Sequence, residues 1–432
     1  MVLNSERGMV TRRSFLRKSA MALGTATAMA SIPMARADER SAEKPAWPIG
    51  AAGDTQISIE HIGRWNASRL NHILKVDAPA FTGFPVDYEP AENSVDLYRV
   101  IYPSVIPEQN NRPTLASGLI AIPENVGSAA RLVSYQHGTV YGKQQVPSFP
   151  DQSPETQLMI AEFAGRGDIL IGADYFGLGL SKELESYMVL GSLQQAAADM
   201  ISAALHILRR RNIEVEGLYL AGWSEGGYVT MGLLERLESE DVPVSAAATA
   251  SAPTDPFLAF SGLLDFPRPN DARWINSIFV LSVFAYEQYY GAPGLARSFI
   301  NQKYFEGCRS FYLRQPVDVS TIPTDLRLLI RPEYFNPNFF LQSEFGHHIH
   351  KNQVFRWVIQ TPTRNYYGES DEAITVGLGK LVMTYQNAMG NKNVEAISAG
   401  SDATHRGTFA RAVLEWSRWF PQTKKHPINT IL

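Results

Sequence analysis

Two kinds of hydrophobic pattern alternate along most of this chain. Short apolar, β-branched runs predict strands, and the segments between them carry apolar residues at helical spacing. Between the fourth and fifth runs, Leu193, Ala197, Met200, Ala204 and Ile207 lie three or four residues apart and predict an amphipathic helix. This alternation is typical of an α/β fold with a mostly parallel sheet flanked by helices. The eight predicted strands are residues 96–105, 114–122, 131–137, 168–174, 217–222, 244–250, 363–368 and 394–399.

The connection between the sixth and seventh predicted strands is anomalously long, at more than 100 residues. A loop of that length without structure of its own is uncommon in a compact domain. The segment is rich in aromatic residues, and we expect it to form an inserted, mostly helical cap over residues 256–360. The core would then comprise residues 96–255 and 361–432. Residues 38–95 form an N-terminal extension, in which residues 59–75 predict a helix.

The first 37 residues have the features of an export signal. An arginine pair within residues 11–18 is followed by Phe-Leu and a basic residue, which is typical of a twin-arginine (Tat) signal. A weakly apolar run over residues 20–32 and an A-x-A pattern at 35–37 follow. The run is shorter than the roughly 20 residues that span a membrane. We therefore expect a cleaved Tat signal peptide over residues 1–37, export by the Tat machinery, a periplasmic or secreted product and no stable membrane anchor.

Composition narrows the possible partners and the redox chemistry. Hydrophobic residues make up 45% of the chain, enough for a proper core, and the net charge of −4 gives no reason to expect nucleic acid as a partner. Cys308 is the only cysteine, so an intrachain disulfide is impossible. That agrees with folding in a reducing cytoplasm before export.

The most informative motif is Gly222-Trp223-Ser224-Glu225-Gly226, a G-x-S-x-G pattern. It lies between a predicted strand and a helix-compatible segment, the context in which such a turn exposes a nucleophilic serine. A turn this tight strains the backbone and leaves no space for side chains two residues before and after the serine. The motif therefore predicts Ser224 as a nucleophile.

A hydroxyl needs an adjacent base, and that base needs an acid to orient it. After a G-x-S-x-G turn of this kind the partners follow in the order acid, then histidine. The seventh predicted strand is followed by Asp371, our candidate acid, with Glu369 and Glu372 as alternatives. The eighth is followed by His405, just before a predicted helix over residues 408–419. We expect His405 to accept the Ser224 proton while Asp371 holds its other ring nitrogen.

Stabilising the tetrahedral intermediate requires two backbone N–H groups aimed at its oxyanion. The residue directly after the nucleophile, Glu225, is expected to supply one of them. The second is expected from the turn after the third strand, where His137-Gly138 stands. The sequence leaves open whether His137 or Gly138 donates.

Together these segments resemble the α/β-hydrolases, and more narrowly a secreted lipase/esterase group that includes the fungal secretory lipases. The resemblance implies an eight-stranded α/β-hydrolase sheet with a helical cap between strands 6 and 7. It also implies hydrolysis of small-molecule or lipid carboxylic esters through an acyl-enzyme, with no metal or organic cofactor. Glu225 departs from the glutamine that similar enzymes often carry beside the nucleophile. The matching segments are residues 97–102, 134–139, 173–181 and 221–227.

Other interpretations of the same residues stay open. A serine peptidase or amidase of this fold would need a cap carboxylate for the substrate amine, for which Glu287 and Glu344 are conceivable. A non-catalytic binding protein on the same scaffold and an acyltransferase to alcohols are further alternatives. Glu344, His347, His348 and His350 could together ligate a metal, but their spacing matches no closed site and favours a solvated surface.

Overall fold

The computed structural model describes residues 57–127 and 129–428, and the predicted signal peptide over residues 1–37 lies outside them. The described chain is built around one nine-stranded sheet. Its strands are β1 Ser58–Trp65, β2 Val95–Ile106, β3 Arg112–Pro123, β4 Ala129–Gln136, β5 Ile169–Ala173, β6 Glu214–Trp223, β7 Ala246–Ala250, β8 Thr363–Tyr367 and β9 Val394–Ser398.

The strand order across the sheet is β1-β2-β3-β5-β4-β6-β7-β8-β9. The pairs joining β1, β2, β3 and β5 are antiparallel, whereas every pair from β5 through β4 to β9 is parallel. Parallel neighbours need crossover connections, and the chain supplies them as helices. The predicted mostly parallel α/β sheet is confirmed. Because parallel strands end at the same edge, the turns after β4, β6, β8 and β9 are brought together there.

The α-helices of the described residues lie between these strands, seven of them in the long insertion between β7 and β8, and the last one follows β9. They are α1 Ala67–His72, α2 Ala78–Thr82, α3 Pro154–Glu162, α4 Leu190–Arg210, α5 Glu225–Ser239, α6 Pro256–Asp265, α7 Ile275–Tyr289, α8 Leu295–Phe299, α9 Phe305–Tyr312, α10 Leu326–Leu329, α11 Pro337–Gln342, α12 Glu344–Lys351, α13 Val376–Gly379, α14 Leu381–Ala388 and α15 His405–Trp419.

One prediction for the N-terminal extension is wrong in part. The predicted helix over residues 59–75 is wrong in its first half, where β1 pairs antiparallel with β2 and raises the strand count from eight to nine. Only α1 and the π-helical turn Ile73–Asp77 are helical there. Most residues of β1 are exposed, so its sequence lacks the alternation that a half-buried strand shows. Pairing with β2, which the local sequence does not encode, decides the structure of this segment.

Each face of the sheet carries its own hydrophobic core. Along β6, Leu218 and Leu220 face one core, and Tyr219 and Ala221 face the other, as a period-2 strand requires. The core containing Leu218 includes α4, α5 and much of the insertion. The opposite core is covered by α1, α3 and α15. The predicted amphipathic helix before β6 is confirmed as α4, whose periodic apolar residues are all buried.

The chain between β7 and β8 is helical, with α6 to α12 in sequence. Its core is aromatic: Phe279 packs edge-on against Phe260 at 4.7 Å, and Phe345 lies 4.5 Å from Phe299. An aromatic core of this kind holds a helical insertion together without regular sheet pairing. None of the helices in the described ranges is both long and apolar enough to cross a membrane.

Candidate active site

The turn between β6 and α5 has the strained conformation that the motif predicts. Ser224 adopts φ 58° and ψ −123°, in a region that residues with a side chain rarely occupy. A Cβ at position 222 would collide with the Gly226 carbonyl oxygen, and one at position 226 would collide with the Gln136 carbonyl oxygen. The two glycines let β4, β6 and α5 approach closely enough to present Ser224 at the sheet edge.

Two helical glycines give a matched test of this close approach. Gly226→Ala forces a methyl group against backbone, and overpacking of this kind costs about 1–3 kcal/mol. Gly262→Ala in α6 meets open space, so it should instead stabilise the protein by about 0.5–1 kcal/mol through lower chain entropy. Urea unfolding of both variants measures the difference. Equal effects of the two substitutions would contradict the packing account of the turn.

The three residues predicted as a triad lie in hydrogen-bonding contact. His405 Nε2 is 2.9 Å from Ser224 Oγ, and His405 Nδ1 is 3.0 Å from Asp371 Oδ1. Asp371 lies in the turn after β8, and His405 is the first residue of α15, three residues before the predicted helix start. The Thr404 side chain caps that helix by accepting the Gly407 N–H, and this cap fixes the start of α15 at His405. Asp371 and His405 are buried, while Ser224 is partly accessible.

Asp371 is held in place from three further directions. One carboxylate oxygen accepts from Ser251 Oγ at 2.6 Å, and the other accepts the N–H groups of Ala373 and Ile374 at 2.8 Å. Burial alone would raise the pKa of Asp371, but the neighbouring His405 and these hydrogen bonds outweigh it and lower the pKa. The carboxylate is therefore ionised and oriented toward the imidazole.

The charge of Asp371 acts in turn on His405. Burial favours the neutral imidazole, yet the attraction and hydrogen bond of Asp371 outweigh burial and raise the pKa of His405. Trp223 packs beside the ring and donates its indole N–H to the His405 carbonyl oxygen at 3.1 Å. Trp274, from the insertion, lies on the ring as well, with centroids 5.7 Å apart. The imidazole is thus fixed by contacts with both the core and the insertion.

The two alternative acids have other partners. Glu372 accepts the backbone N–H of His405 at 2.9 Å, which helps to position the start of α15. Glu369 is exposed and accepts a hydrogen bond from Ser398 Oγ at 2.7 Å. Of the three acidic residues in this turn, Asp371 is the one whose side chain contacts the His405 ring.

The turn after β4 brings His137 and Gly138 beside the turn at Ser224, but the backbone N–H of Gly138 already has a partner. That N–H donates to Glu155 Oε1 at 3.0 Å. The ring of His137 is buried, stacks on Tyr175 at 4.2 Å and contacts the carbonyl oxygens of Gly138 and Asp174. Burial lowers the pKa of His137 to about 4, so this ring is neutral near pH 7.

Glu155 was not a sequence candidate, because its only local signal is that of an acidic residue in the first turn of α3. It is buried, and burial raises its pKa to about 7. The hydrogen bond to Gly138 ties the turn after β4 to α3. Glu155 therefore positions the turn from which the second oxyanion donor is expected.

Glu225 begins α5, and its side chain is buried near Glu185, which pairs with Arg314 at 2.7 Å. Burial and the charge of Glu185 raise the pKa of Glu225 well above its ordinary value. A shift in this direction favours the neutral carboxyl group, which resembles glutamine in size and net charge.

The pocket above Ser224 is small, at about 40 Å³, and mostly apolar. A cavity needs about 10–15 Å³ for each water that it holds, so only a few water molecules fit. Core and insertion residues share its wall. Among them are Thr139, Tyr187, Met188, Phe260, Trp274 and Ile374.

The candidate metal cluster on α12 is dispersed in the structure. His348 stacks on Tyr290 at 4.5 Å, His350 lies edge-on to Phe257, and His347 and Glu344 are exposed. Across residues 57–127 and 129–428, no group of three or more potential ligands is arranged to hold a metal ion. The contacts of these histidines are those of side chains packed on a helix surface.

Comparison with known proteins supports the architecture. No family model and no curated protein matches the chain. Solved structures do match. A Legionella pneumophila protein assigned as a hydrolase has a TM-score of 0.73 at 22% identity, over 85% of this chain and 98% of its own. The rice cell wall degrading esterase LipA from Xanthomonas oryzae, in a ligand-bound form, gives 0.70 at 17% identity, over 84% and 95%.

Candida antarctica lipase A is more distant, with a TM-score of 0.56 at 15% identity over 80% of this chain and 77% of its own. Identities this low carry information about the fold alone. Together with the mixed sheet, the helical crossovers and the strained turn after β6, these likenesses show that the protein has an α/β-hydrolase fold.

Proposed function

We propose that this protein is a serine hydrolase of carboxylic esters that uses a Ser224–His405–Asp371 triad. The observation that carries the proposal is the continuous hydrogen-bonded series Ser224 Oγ, His405 Nε2, His405 Nδ1 and Asp371, with distances of 2.9 Å and 3.0 Å. A nucleophile, a base and an orienting acid in this arrangement make up the machinery of acyl transfer. The structural likeness to an esterase and a lipase favours esters as the substrate class, whether small-molecule or lipid.

In the proposed reaction, Ser224 Oγ attacks the acyl carbon while His405 Nε2 takes its proton. Asp371 stabilises the imidazolium that forms. When the tetrahedral intermediate collapses, His405 returns the proton to the departing alkoxide, which leaves as the alcohol. Water then attacks the acyl-enzyme, with His405 again as base, and releases the acid and free Ser224.

The oxyanion would be held by the Glu225 N–H and by a second donor from the turn containing His137 and Gly138. The backbone N–H of Gly138 is bonded to the Glu155 carboxylate. Of the two candidates, we therefore favour the backbone N–H of His137 as the second donor. A single oxyanion donor is typically worth about 10²–10³-fold in kcat. The mostly apolar wall of the pocket at Ser224 would strengthen each such hydrogen bond by lowering the local dielectric constant.

The test of ester specificity compares a p-nitrophenyl ester series with the matching p-nitroanilides. We expect the esters to be hydrolysed and the anilides to react far more slowly. Efficient cleavage of the anilides would assign the site to a peptidase or amidase. The absence of hydrolysis from both series would favour a binding role for the scaffold.

Activity should rise with pH as His405 loses its proton, because a protonated imidazole cannot accept the Ser224 proton. Asp371 raises the pKa of His405, so the midpoint of kcat/KM should lie above the ordinary histidine value of about 6.5. A pH profile of kcat/KM with a neutral ester, at constant ionic strength, measures this midpoint. A profile that is flat between about pH 5 and 8 would contradict His405 as the base.

We also propose that the protein is exported by the Tat machinery and acts in the periplasm or outside the cell. The support is the arginine pair Arg12-Arg13 with the apolar run and the A-x-A pattern that follow it. Replacing both arginines by lysine should retain the protein in the cytoplasm, as measured by cell fractionation. Unchanged export of that variant would rule out the Tat route.

A further inference from the structure

A second cavity lies beside the Ser224 pocket, where the turn after β4 meets the insertion. Its volume is about 430 Å³, within the 300–1,000 Å³ or so that is usual for small-molecule sites. Tyr141 is the wall residue from the core. The insertion supplies the rest, including Trp274 and Val280 near α7, Phe311 in α9 and Ile322.

Three polar side chains in the cavity wall, those of Tyr141, Ser277 and Asn276, already have hydrogen-bond partners. Tyr141 Oη donates to Ser277 Oγ at 2.8 Å, and Ser277 Oγ donates to the Trp274 carbonyl oxygen at 2.6 Å. Asn276 Nδ2 donates to the Pro323 carbonyl oxygen at 3.0 Å. Arg273 and Thr324 are the other polar wall residues, and the rest of the wall is mostly apolar, so an occupant gains most by burying apolar surface.

The side chain of Trp274 lines both the second cavity and the pocket at Ser224. Trp274 lines the 430 Å³ cavity and also the 40 Å³ pocket that contains Ser224, and its ring packs on His405. It lies immediately before α7, where the chain enters the helix. The pocket at Ser224 is too small for more than the reacting ester group, so any longer substituent must extend elsewhere.

We propose that the 430 Å³ cavity binds an apolar alkyl or aryl group of the ester substrate, and that Trp274 controls how far this group extends from Ser224. The proposal rests on the proposed ester hydrolase function and adds to it the substrate class and the side chain that sets substrate size. The apolar group comes from either the acyl or the alcohol side of the ester. The cavity opens to solvent beside Tyr141 and Val319, whose side chains are 46% and 59% exposed.

Two ester series test the proposal and identify whether the acyl or the alcohol part of the ester occupies the cavity. One carries acyl chains of increasing length on p-nitrophenol, and the other carries alkyl alcohols of increasing length on acetate. The narrowing variant is Val319→Trp, at an exposed position where folding is not at risk. Ile213→Trp is the matched control, because it fills a different cavity of about 200 Å³ next to β6.

Val319→Trp should lower kcat/KM for the long members of one series by about 10–100-fold, since each methylene excluded from an apolar pocket is worth about tenfold or more. Ile213→Trp should leave the activity on both ester series within about twofold of the parent. Trp274→Ala should raise the ratio of long-chain to acetate activity. Loss confined to the acyl series assigns the cavity to the acid, and loss confined to the alkyl acetates assigns it to the alcohol.

Unchanged chain-length profiles in both variants, with Ser224-dependent hydrolysis of acetate intact, would overturn the cavity proposal and leave the ester hydrolase proposal standing. A protein that hydrolyses no ester would overturn the proposed function. In that case calorimetric binding of dodecanoic acid and dodecanol decides the cavity separately. Binding that Val319→Trp abolishes and Ile213→Trp does not would support the apolar site, and the absence of binding would overturn it.

Discussion

Ser224→Ala is expected to lower kcat for ester hydrolysis by about 10⁶-fold, because the acyl-enzyme cannot form without the nucleophile. Only the methyl-sized Cβ remains at a position where the backbone conformation is fixed by the close approach of β4, β6 and α5. The variant should therefore fold like the parent. Steady-state kinetics on a short p-nitrophenyl ester measures the loss, and labelling by a serine-directed phosphonate gives a second readout.

The matched control is Ser261→Ala in α6, which removes a hydroxyl that bonds only weakly to the Leu258 carbonyl oxygen at 3.4 Å. This variant should keep both activity and phosphonate labelling. Retained labelling of Ser224→Ala would show that another serine is the nucleophile. Failure of the parent protein itself to label would favour a non-catalytic binding role.

Asp371→Asn should reduce kcat by about 10⁴-fold while leaving the fold intact. An asparagine at this position has lost the negative charge that stabilises the imidazolium, and it can present an N–H toward His405 and so favour the wrong tautomer. Loss of the charge should also lower the pKa of His405, because Asp371 is what raises it. Measuring kcat together with the midpoint of the pH profile separates this effect from simple unfolding.

Glu369→Gln provides the control from the same turn, since Glu369 is exposed and bonds to Ser398 instead of the imidazole. Its activity should stay within about twofold of the parent. If Glu369→Gln and Asp371→Asn lost activity equally, the assignment of the acid to Asp371 would be wrong.

The fold was largely predictable because its signals are local and repeated. Period-2 apolar runs and the helical spacing of α4 follow directly from which side chains face the two cores. The strand β1 escaped prediction because it is an exposed edge strand, and exposure removes the alternation from its sequence. Its partner, β2, lies about 40 residues further along the chain.

Some residues of the candidate site were likewise predictable from the sequence, and others were not. The tight turn at Ser224 has a sequence signature because two glycines are sterically required there. Asp371 and His405 could be proposed from their places after successive strands. Glu155 and Trp274 could not, since a first-turn glutamate and an aromatic residue in a helical insertion are ordinary features that acquire a role only through what they contact.

The sequence alone thus determined the α/β architecture, the strained turn at Ser224 and the order of the candidate triad, because each depends on spacing along the chain. The tertiary structure alone decided which acid contacts His405, that Glu155 accepts the Gly138 N–H, and that Trp274 lines two cavities. Those facts depend on distances between segments far apart in sequence. Burial, which raises the pKa of Glu225 and lowers the pKa of His137, exists only once these segments have packed.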